Sequence, residues 1–449
     1  MCLAILFIII IGPWPTYGKI DLEKAGFYKK AIRSLSASAD RIPKDTHLPE
    51  FSAGWACIPI ELPPGLPLAG FESRKGKPSE GQISRISVKA VVFNDGRNRA
   101  ALVSADLLLI PEITAETVRK KVSSAFNIPE DAVLFNATHT HSGPGAFHPG
   151  LVSRIAAGPF NKKWTNYLTG CFLEALDKAV AALQPAEMAV KKLKARGLIV
   201  NRVRPGGPVD DDLQIMAIKT KQGRRCTIVG FAAHATLLSA KNMKYCGDYP
   251  GYVQSSLKSS MGGEVIFLAT AVGSMKPGAP QNINEVERAQ HYADSLAVII
   301  RNGMQDLDFT SRVSVAALGG VVTMPAFQVR LNRHFRLSPY LLPILGIDNR
   351  SWIQAVRLGL TVMVGYPGEL CGEISPGLKE WGRSLGYDLW TLSFNGDYIG
   401  YVSPDRYYNK KNMTGGEKYE LISMSWCGPQ QEEYLIRLTK HMVQKIGEE

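Results

Sequence analysis

The sequence predicts an α/β protein, with mixed β-sheets flanked by helices in a single large domain. Three observations carry this. Apolar runs of strand length recur along the chain, helical periodicity falls between them, and no low-complexity linker or charge block separates two halves. The 449 residues, 45% of them hydrophobic and 20% charged, supply material for a large packed core.

Taken in order, strands are predicted at 86–93, 100–110, 133–135, 213–218, 227–233, 265–268, 313–318 and 361–364. Apolar residues alternate or run continuously there, as they do in strands buried on one or both faces. Helices are predicted at 164–183, 284–302 and 431–446, where apolar residues return at helical spacing. The chain has no internal repeat, heptad pattern, P-loop or GxGxxG fingerprint, so nucleotide-dependent chemistry has no support.

Residues 1–12 are an apolar run too short to span a bilayer, closed by Gly12, Pro13 and Pro15. They read as the core of a signal peptide over 1–18. Thr16 and Gly18 are placed for a signal peptidase, Lys19 is the mature start, and no Lys or Arg precedes it. The domain at 19–449 is then exported, to a periplasmic, secreted or membrane-facing location. Removal of Cys2 leaves Cys57, Cys171, Cys226, Cys246, Cys371 and Cys427, none in a CxxC pair. This spacing argues against a zinc knuckle or redox pair, while disulfides and buried free thiols both stay open.

Lys and Arg number 52 against 40 Asp and Glu, a net charge of +12. A surface this basic allows peripheral contact with an anionic membrane. With no Lys/Arg run or recognition motif, nucleic acid is not an expected partner.

Polar clusters begin where apolar strands stop, after Phe135, Phe231, Leu268, Val364 and Phe394. Strand-end loops are where α/β proteins place their chemistry, because a rigid sheet holds a segment that still faces solvent. His139 and His141 lie one residue apart in the first cluster. If the chain stays extended past Phe135, both imidazoles project to one side. They then either ligate one metal together, or one ligates while the other stands by as a base. An HxH pair by itself is weak. His234 follows the 227–233 strand, and Glu369 follows 361–364, where it is expected to open a helix and be fixed at a strand–helix junction.

THTHSGPG at 138–145, FAAH ending at His234, Asn201-Arg202, PGE ending at Glu369 and NGDYIGYV at 395–402 together resemble the catalytic domain of the neutral/alkaline (non-lysosomal) ceramidases. PPGLPLAG at 63–70 and VSAD at 103–106 fit the same pattern, so the resemblance runs in one order from about residue 53 to residue 429. It implies a zinc-dependent amide hydrolase acting on an N-acyl sphingoid, ceramide-like, or related lipid amide through metal-activated water. Residue by residue it implies one zinc ion per chain on His139, His234, Glu369 and Tyr401, with His141 as general base. Arg202 and Tyr419 take the part of stabilising the oxyanion, with Tyr408 as a competitor for the place of Tyr419 because aligning that stretch needs an insertion near 410–416.

The pattern departs from the family in two places. Lys276 stands where the family has a serine with a catalytic or substrate-contacting role, and Ser274 lies two residues earlier. The family's C-terminal β-sandwich has no counterpart after residue 429. These departures leave two alternatives: the same metal centre acting on another amide or ester, or a binding protein without turnover. The apolar stretch 337–346 either lines a lipid-accepting groove or forms a core loop.

Overall fold

The computed structural model describes residues 9–42, 50–280, 282–341, 349–408 and 418–447. An eight-stranded sheet is built from β1 (Ser52–Pro59), β2 (Ser87–Asn94), β3 (Arg99–Ala105), β4 (Val133–Ala137), β5 (Gln184–Lys194), β6 (Asp212–Thr220), β7 (Arg225–Phe231) and β8 (Glu264–Ala269), in the order β8-β7-β6-β5-β1-β2-β3-β4. The β7–β8 and β3–β4 pairs are parallel and the others antiparallel. A second, four-stranded sheet consists of β9 (Val315–Thr323), β10 (Arg350–Leu358), β11 (Thr361–Gly365) and β12 (Asp388–Leu392), in that order, with a parallel last pair. Around these sheets pack α1 (Gly26–Ala39), α2 (Glu112–Phe126), α3 (Leu151–Ala157), α4 (Lys162–Ala181), α5 (Asp248–Met261), α6 (Glu285–Gly303), α7 (Ser375–Ser384) and α8 (Gln431–Gly447).

The period of two along a strand decides the layering. In β8, Val265 and Phe267 pack with Val253 and Leu257 of α5 and Leu296 of α6, whereas Ile266 and Leu268 enter a central core with Met363 and Trp390 of the second sheet. In β11, Met363 enters that central core, while Val362 and Val364 turn to Leu35 of α1 and Leu438 of α8. The order is therefore helix, sheet, sheet, helix, with apolar side chains filling each interface. Strands buried on both faces are what give the sequence its continuous apolar runs. Two helix starts follow from capping: Asn161 accepts the Trp164 N–H at 3.1 Å before α4, and Asn284 accepts the Val286 N–H at 2.9 Å before α6.

All the predicted strands and helices exist, and the largest overrun is at 100–110. The expected strand at 100–110 stops at Ala105, because the Asp106 carboxylate turns to accept the Ser87 N–H at 3.0 Å and the Gln254 amide at 3.0 Å. Trp14–Pro15, inside the stretch expected to be a leader, pair antiparallel with Phe335–Arg336. Among the described residues no helix is long and apolar enough to cross a membrane, and Cys57, Cys171, Cys226, Cys246, Cys371 and Cys427 are all free thiols.

Candidate metal centre

The C-terminal ends of β4, β7, β8, β11 and β12 come together, and their loops carry the site. Asn136, in β4, ties three of these ends. Its amide nitrogen donates to the carbonyls of Ala269 and Ser393, each at 2.9 Å, and its oxygen accepts the Ala269 N–H at 2.9 Å. From this platform His139, His141, His234, Glu369, Arg202 and Tyr401 converge.

His139 and His141 do not meet by extended alternation, as the sequence suggested. The strand ends at Ala137 and His139 adopts a left-handed backbone, φ 61°. That turn brings the two Nε2 atoms to 3.2 Å, with the rings edge to face. The strained conformation is held from several sides: Phe394 stacks on His139 at 4.2 Å, and His139 Nδ1 bonds the Leu108 carbonyl at 2.6 Å. His234 is oriented the same way, through Nδ1 to the Val272 carbonyl at 2.7 Å. A carbonyl only accepts, so both rings carry their proton on Nδ1 and present the Nε2 lone pair. His141 packs against Phe71, and Gly70 is required beside it: with φ 105°, a Cβ there would lie 2.6 Å from His141 Nδ1.

Glu369 does not open a helix, which is a second correction. It lies in the short strand Glu369–Leu370, paired in parallel with Tyr401–Val402, and the next helix starts only at Ser375. This pairing sets the carboxylate beside the Tyr401 phenol. Glu369 Oε2 sits 3.0 Å from His234 Nε2 and 3.6 Å from His139 Nε2, while Oε1 accepts the Tyr398 hydroxyl at 2.6 Å.

Burial drives His139 down to about 3 against the pull of Glu369, and lowers His141 and His234 as well, so all three rings are neutral. Burial would raise Glu369, but the shift runs the other way, and with the neighbouring rings neutral the fixed charge of Arg202 is what keeps the carboxylate ionised. Arg202 is held charged. Burial opposes its charge, but Tyr401, Tyr419 and Glu420 favour it. Its Nη2 donates to the Tyr401 hydroxyl at 2.9 Å and the Gly273 carbonyl at 3.1 Å and lies 3.2 Å from His234 Nε2.

These donors suit a cation. The ligating atoms of His139, His141 and His234 lie within 4.8 Å of one another, and the buried Glu369 Oε2, close to two of them, has no hydrogen-bond partner. Neutral imidazoles plus one carboxylate are an N/O set able to hold a metal ion.

His139, His141, Arg202, Glu369, Tyr401 and Tyr419 line a cavity of ≈ 840 Å³, with apolar walls that include Phe71, Leu108, Phe147, Met424 and Trp426. Between the two tyrosines left open by sequence, Tyr419 is the one at the site. Its ring lies 5.7 Å from Tyr401 and 5.7 Å from the Arg202 guanidinium, whereas the Tyr408 hydroxyl bonds Ser425 and does not line the cavity. Burial pushes Tyr419 up to about 12, so it keeps its proton.

Lys276 does not face the cavity. It is exposed on Met275–Pro277, which pairs with Ile199–Asn201, and it is not among the cavity residues. Ser274 is buried and bonds Glu373 and the Gly372 N–H. Of the apolar stretch 337–346, Pro339–Leu341 forms a single 3-10 turn, no residue from 337 to 341 lines the cavity, and 342–346 lie outside the described residues, as do 410–416.

Sequence reading missed Tyr398, Glu420 and Arg74. Tyr398 stood inside the NGDYIGYV motif, and Glu420, whose Oε1 is 3.5 Å from Arg202 Nε, is next to Tyr419. Arg74 braces the site through the His141 and Ala69 carbonyls, and nothing in its local sequence signals this.

Fold and site together define an α/β protein with a buried histidine–carboxylate group, able to hold a metal ion, at an apolar cavity. Residues 65–277 match the family model described as neutral/alkaline non-lysosomal ceramidase, N-terminal, so the family resemblance is borne out over that stretch. Neutral ceramidase A of Dictyostelium discoideum is 28% identical over 227 residues, 44% of this chain and 32% of that protein. The neutral ceramidase of Mycobacterium tuberculosis is 25% identical over 226 residues, 44% of this chain and 36% of that protein. The matched stretches thus span about a third of these relatives. The fold is that of the solved neutral ceramidase from Pseudomonas aeruginosa, with a TM-score of 0.74 at 18% identity over 88% of this chain and 74% of that one.

Proposed function

We propose that this chain is a zinc-dependent amidohydrolase that cleaves the amide bond of an N-acyl sphingoid, ceramide-like, or related lipid amide. The observation that carries the reading is the convergence of lone-pair atoms from His139, His234 and Glu369, beside His141 and Tyr401, at an apolar cavity. The names of the matched relatives support the substrate class.

His139, His234, Glu369 and Tyr401 would hold the zinc ion, one per chain. When bound, zinc supplies a Lewis acid and brings the pKa of an attacking water toward neutrality. His141, kept neutral by burial, is in the protonation state of a general base, and its Nε2 faces the same centre. The proton it accepts is then available to the departing amine. Arg202, charged, and Tyr419, protonated, are donors on the cavity wall for the oxygen that gains charge as the carbonyl becomes tetrahedral. Leu108, Phe147 and Met424 offer apolar surface to the acyl chain. Lys276 is one of the two departures behind the alternatives of action on another amide or ester and of binding without turnover. That side chain lies outside the cavity and favours neither.

Metal analysis of the full chain should find about one zinc per chain, together with hydrolysis of a fluorescent N-acyl sphingoid. His139→Ala and His234→Ala should lose the metal, and His141→Ala should keep it while turnover falls by roughly a hundredfold or more. A metal-free wild-type protein, or full turnover in His141→Ala, would overturn the assignment.

A further inference from the structure

The rim of the cavity differs in character from its interior. Along α3 and the residue before it, Gly150, Ser153, Ala156 and Ala157 line the cavity, while Leu151 and Ile155, one turn apart, are 47% and 54% exposed. Phe160, just beyond the helix, is 38% exposed. A single exposed apolar side chain is ordinary. Three within ten residues, at the edge of an apolar cavity, form a patch that asks for a partner.

The charges around this patch identify the partner. Arg154 is exposed on the same helix, and Lys162 and Lys163 are exposed at the start of α4. Lys75 and Lys77 are exposed on either side of Gly76, which packs so closely on Gly158 that a Cβ would lie 3.2 Å from the Gly158 Cα. Five cations thus surround the patch, against the exposed carboxylates Glu61 and Glu72.

We propose that this rim is an interfacial surface that seats on a bilayer carrying anionic lipid. Leu151, Ile155 and Phe160 enter the acyl boundary while the cations meet the headgroups. The inference builds on the reading of the cavity as a lipid-amide site. A long-chain amide is held in the bilayer, and a mouth set against that bilayer lets the chain pass from one apolar phase to another without crossing water.

The test is co-sedimentation of the full chain with vesicles of phosphatidylcholine alone and of phosphatidylcholine mixed with phosphatidylserine. Turnover of a short-chain, water-soluble N-acyl amide is measured in parallel without membranes. Wild type should bind the mixed vesicles, less so at high salt, and bind phosphatidylcholine alone more weakly. Leu151→Ser combined with Ile155→Ser should lower the partition roughly tenfold, with melting temperature and soluble turnover unchanged. Lys162→Glu combined with Lys163→Glu should reduce the preference for the mixed vesicles. A wild type that ignores both vesicles, or serine and glutamate variants that bind as wild type does, would overturn the proposal. Soluble turnover without vesicle binding removes the docking surface alone, and vesicle binding without turnover removes the amidase reading alone.

Discussion

The Glu369 carboxylate is divided between two tasks, and a single tyrosine keeps them apart. Oε1 accepts the Tyr398 hydroxyl at 2.6 Å, which leaves Oε2 aimed at His139 and His234. Burial raises the Tyr398 pKa, with Glu369 adding to the effect, so the phenol is a dependable donor. Tyr398→Phe removes that donor and little volume. A buried carboxylate oxygen then loses its partner, at a cost of about 1–3 kcal/mol, and the carboxylate is free to rotate. Zinc affinity, measured by competition with a chromogenic chelator, should fall roughly 10- to 100-fold, as for other residues that orient a metal ligand. Unchanged affinity in a folded variant would show that the strand pairing with Tyr401 suffices to hold Glu369. At this scale the sequence was informative about residue type and silent about conformation. The histidines, Glu369 and Arg202 were nameable from motifs, while Tyr419 was left open against Tyr408. The left-handed turn at His139 was hidden, because Thr-His-Thr-His reads as extended chain, and the outward direction of Lys276 depends on strand register.

Elements were legible in proportion to how much apolar surface they bury. Strands β2, β3, β4, β6, β7 and β8 have nearly every residue buried, and their apolar runs announced them. Strand β5 mixes Lys and Glu into a half-buried pattern, and α1 buries mainly Ala31, Leu35, Ser38 and Ala39, so neither stands out from its surroundings. Helix α2 hides a buried Arg119 on its inner face, stacked over Phe135 and Trp352, which breaks the apolar stripe. Helix α5 begins at Asp248, with φ 52°, whose carboxylate accepts the N–H groups of Leu238 and Tyr249. Burial nevertheless raises its pKa to about 6, above the ordinary 3.8. Because the folded state holds this proton more tightly than the unfolded chain, its contribution is full below about 3.8 and is lost as pH rises toward about 6. Urea titrations of wild type and Asp248→Asn should therefore diverge with pH. Moving from pH 4 to pH 7 should shift the difference toward the variant, by at most about 3 kcal/mol. A difference independent of pH would mean that the Leu238 and Tyr249 amides fully compensate the buried charge.

The molecule as a whole has its site where two sheets meet. His139 and His234 leave the ends of β4 and β7 in the eight-stranded sheet, while Glu369 and Tyr401 lie in the short paired strands that follow β11 and β12 of the four-stranded one. The central core already joins the sheets through Ile266, Leu268, Met363 and Trp390. A cation shared by both sets would add a cross-link that the unfolded chain lacks, so binding energy becomes folding energy. At a hundred times its dissociation constant, an ion that binds only the folded state stabilises it by about 2.7 kcal/mol. Unfolding entropy for a chain of this size makes that a rise of about 3 °C in melting temperature. Differential scanning calorimetry of metal-stripped protein with and without added zinc should show this rise, and His234→Ala should abolish it. His141→Ala should retain most of it if the ion is held, as proposed, by the other four side chains. Equal loss in both variants would instead place His141 among the ligands, and the base would have to be sought elsewhere along the cavity wall.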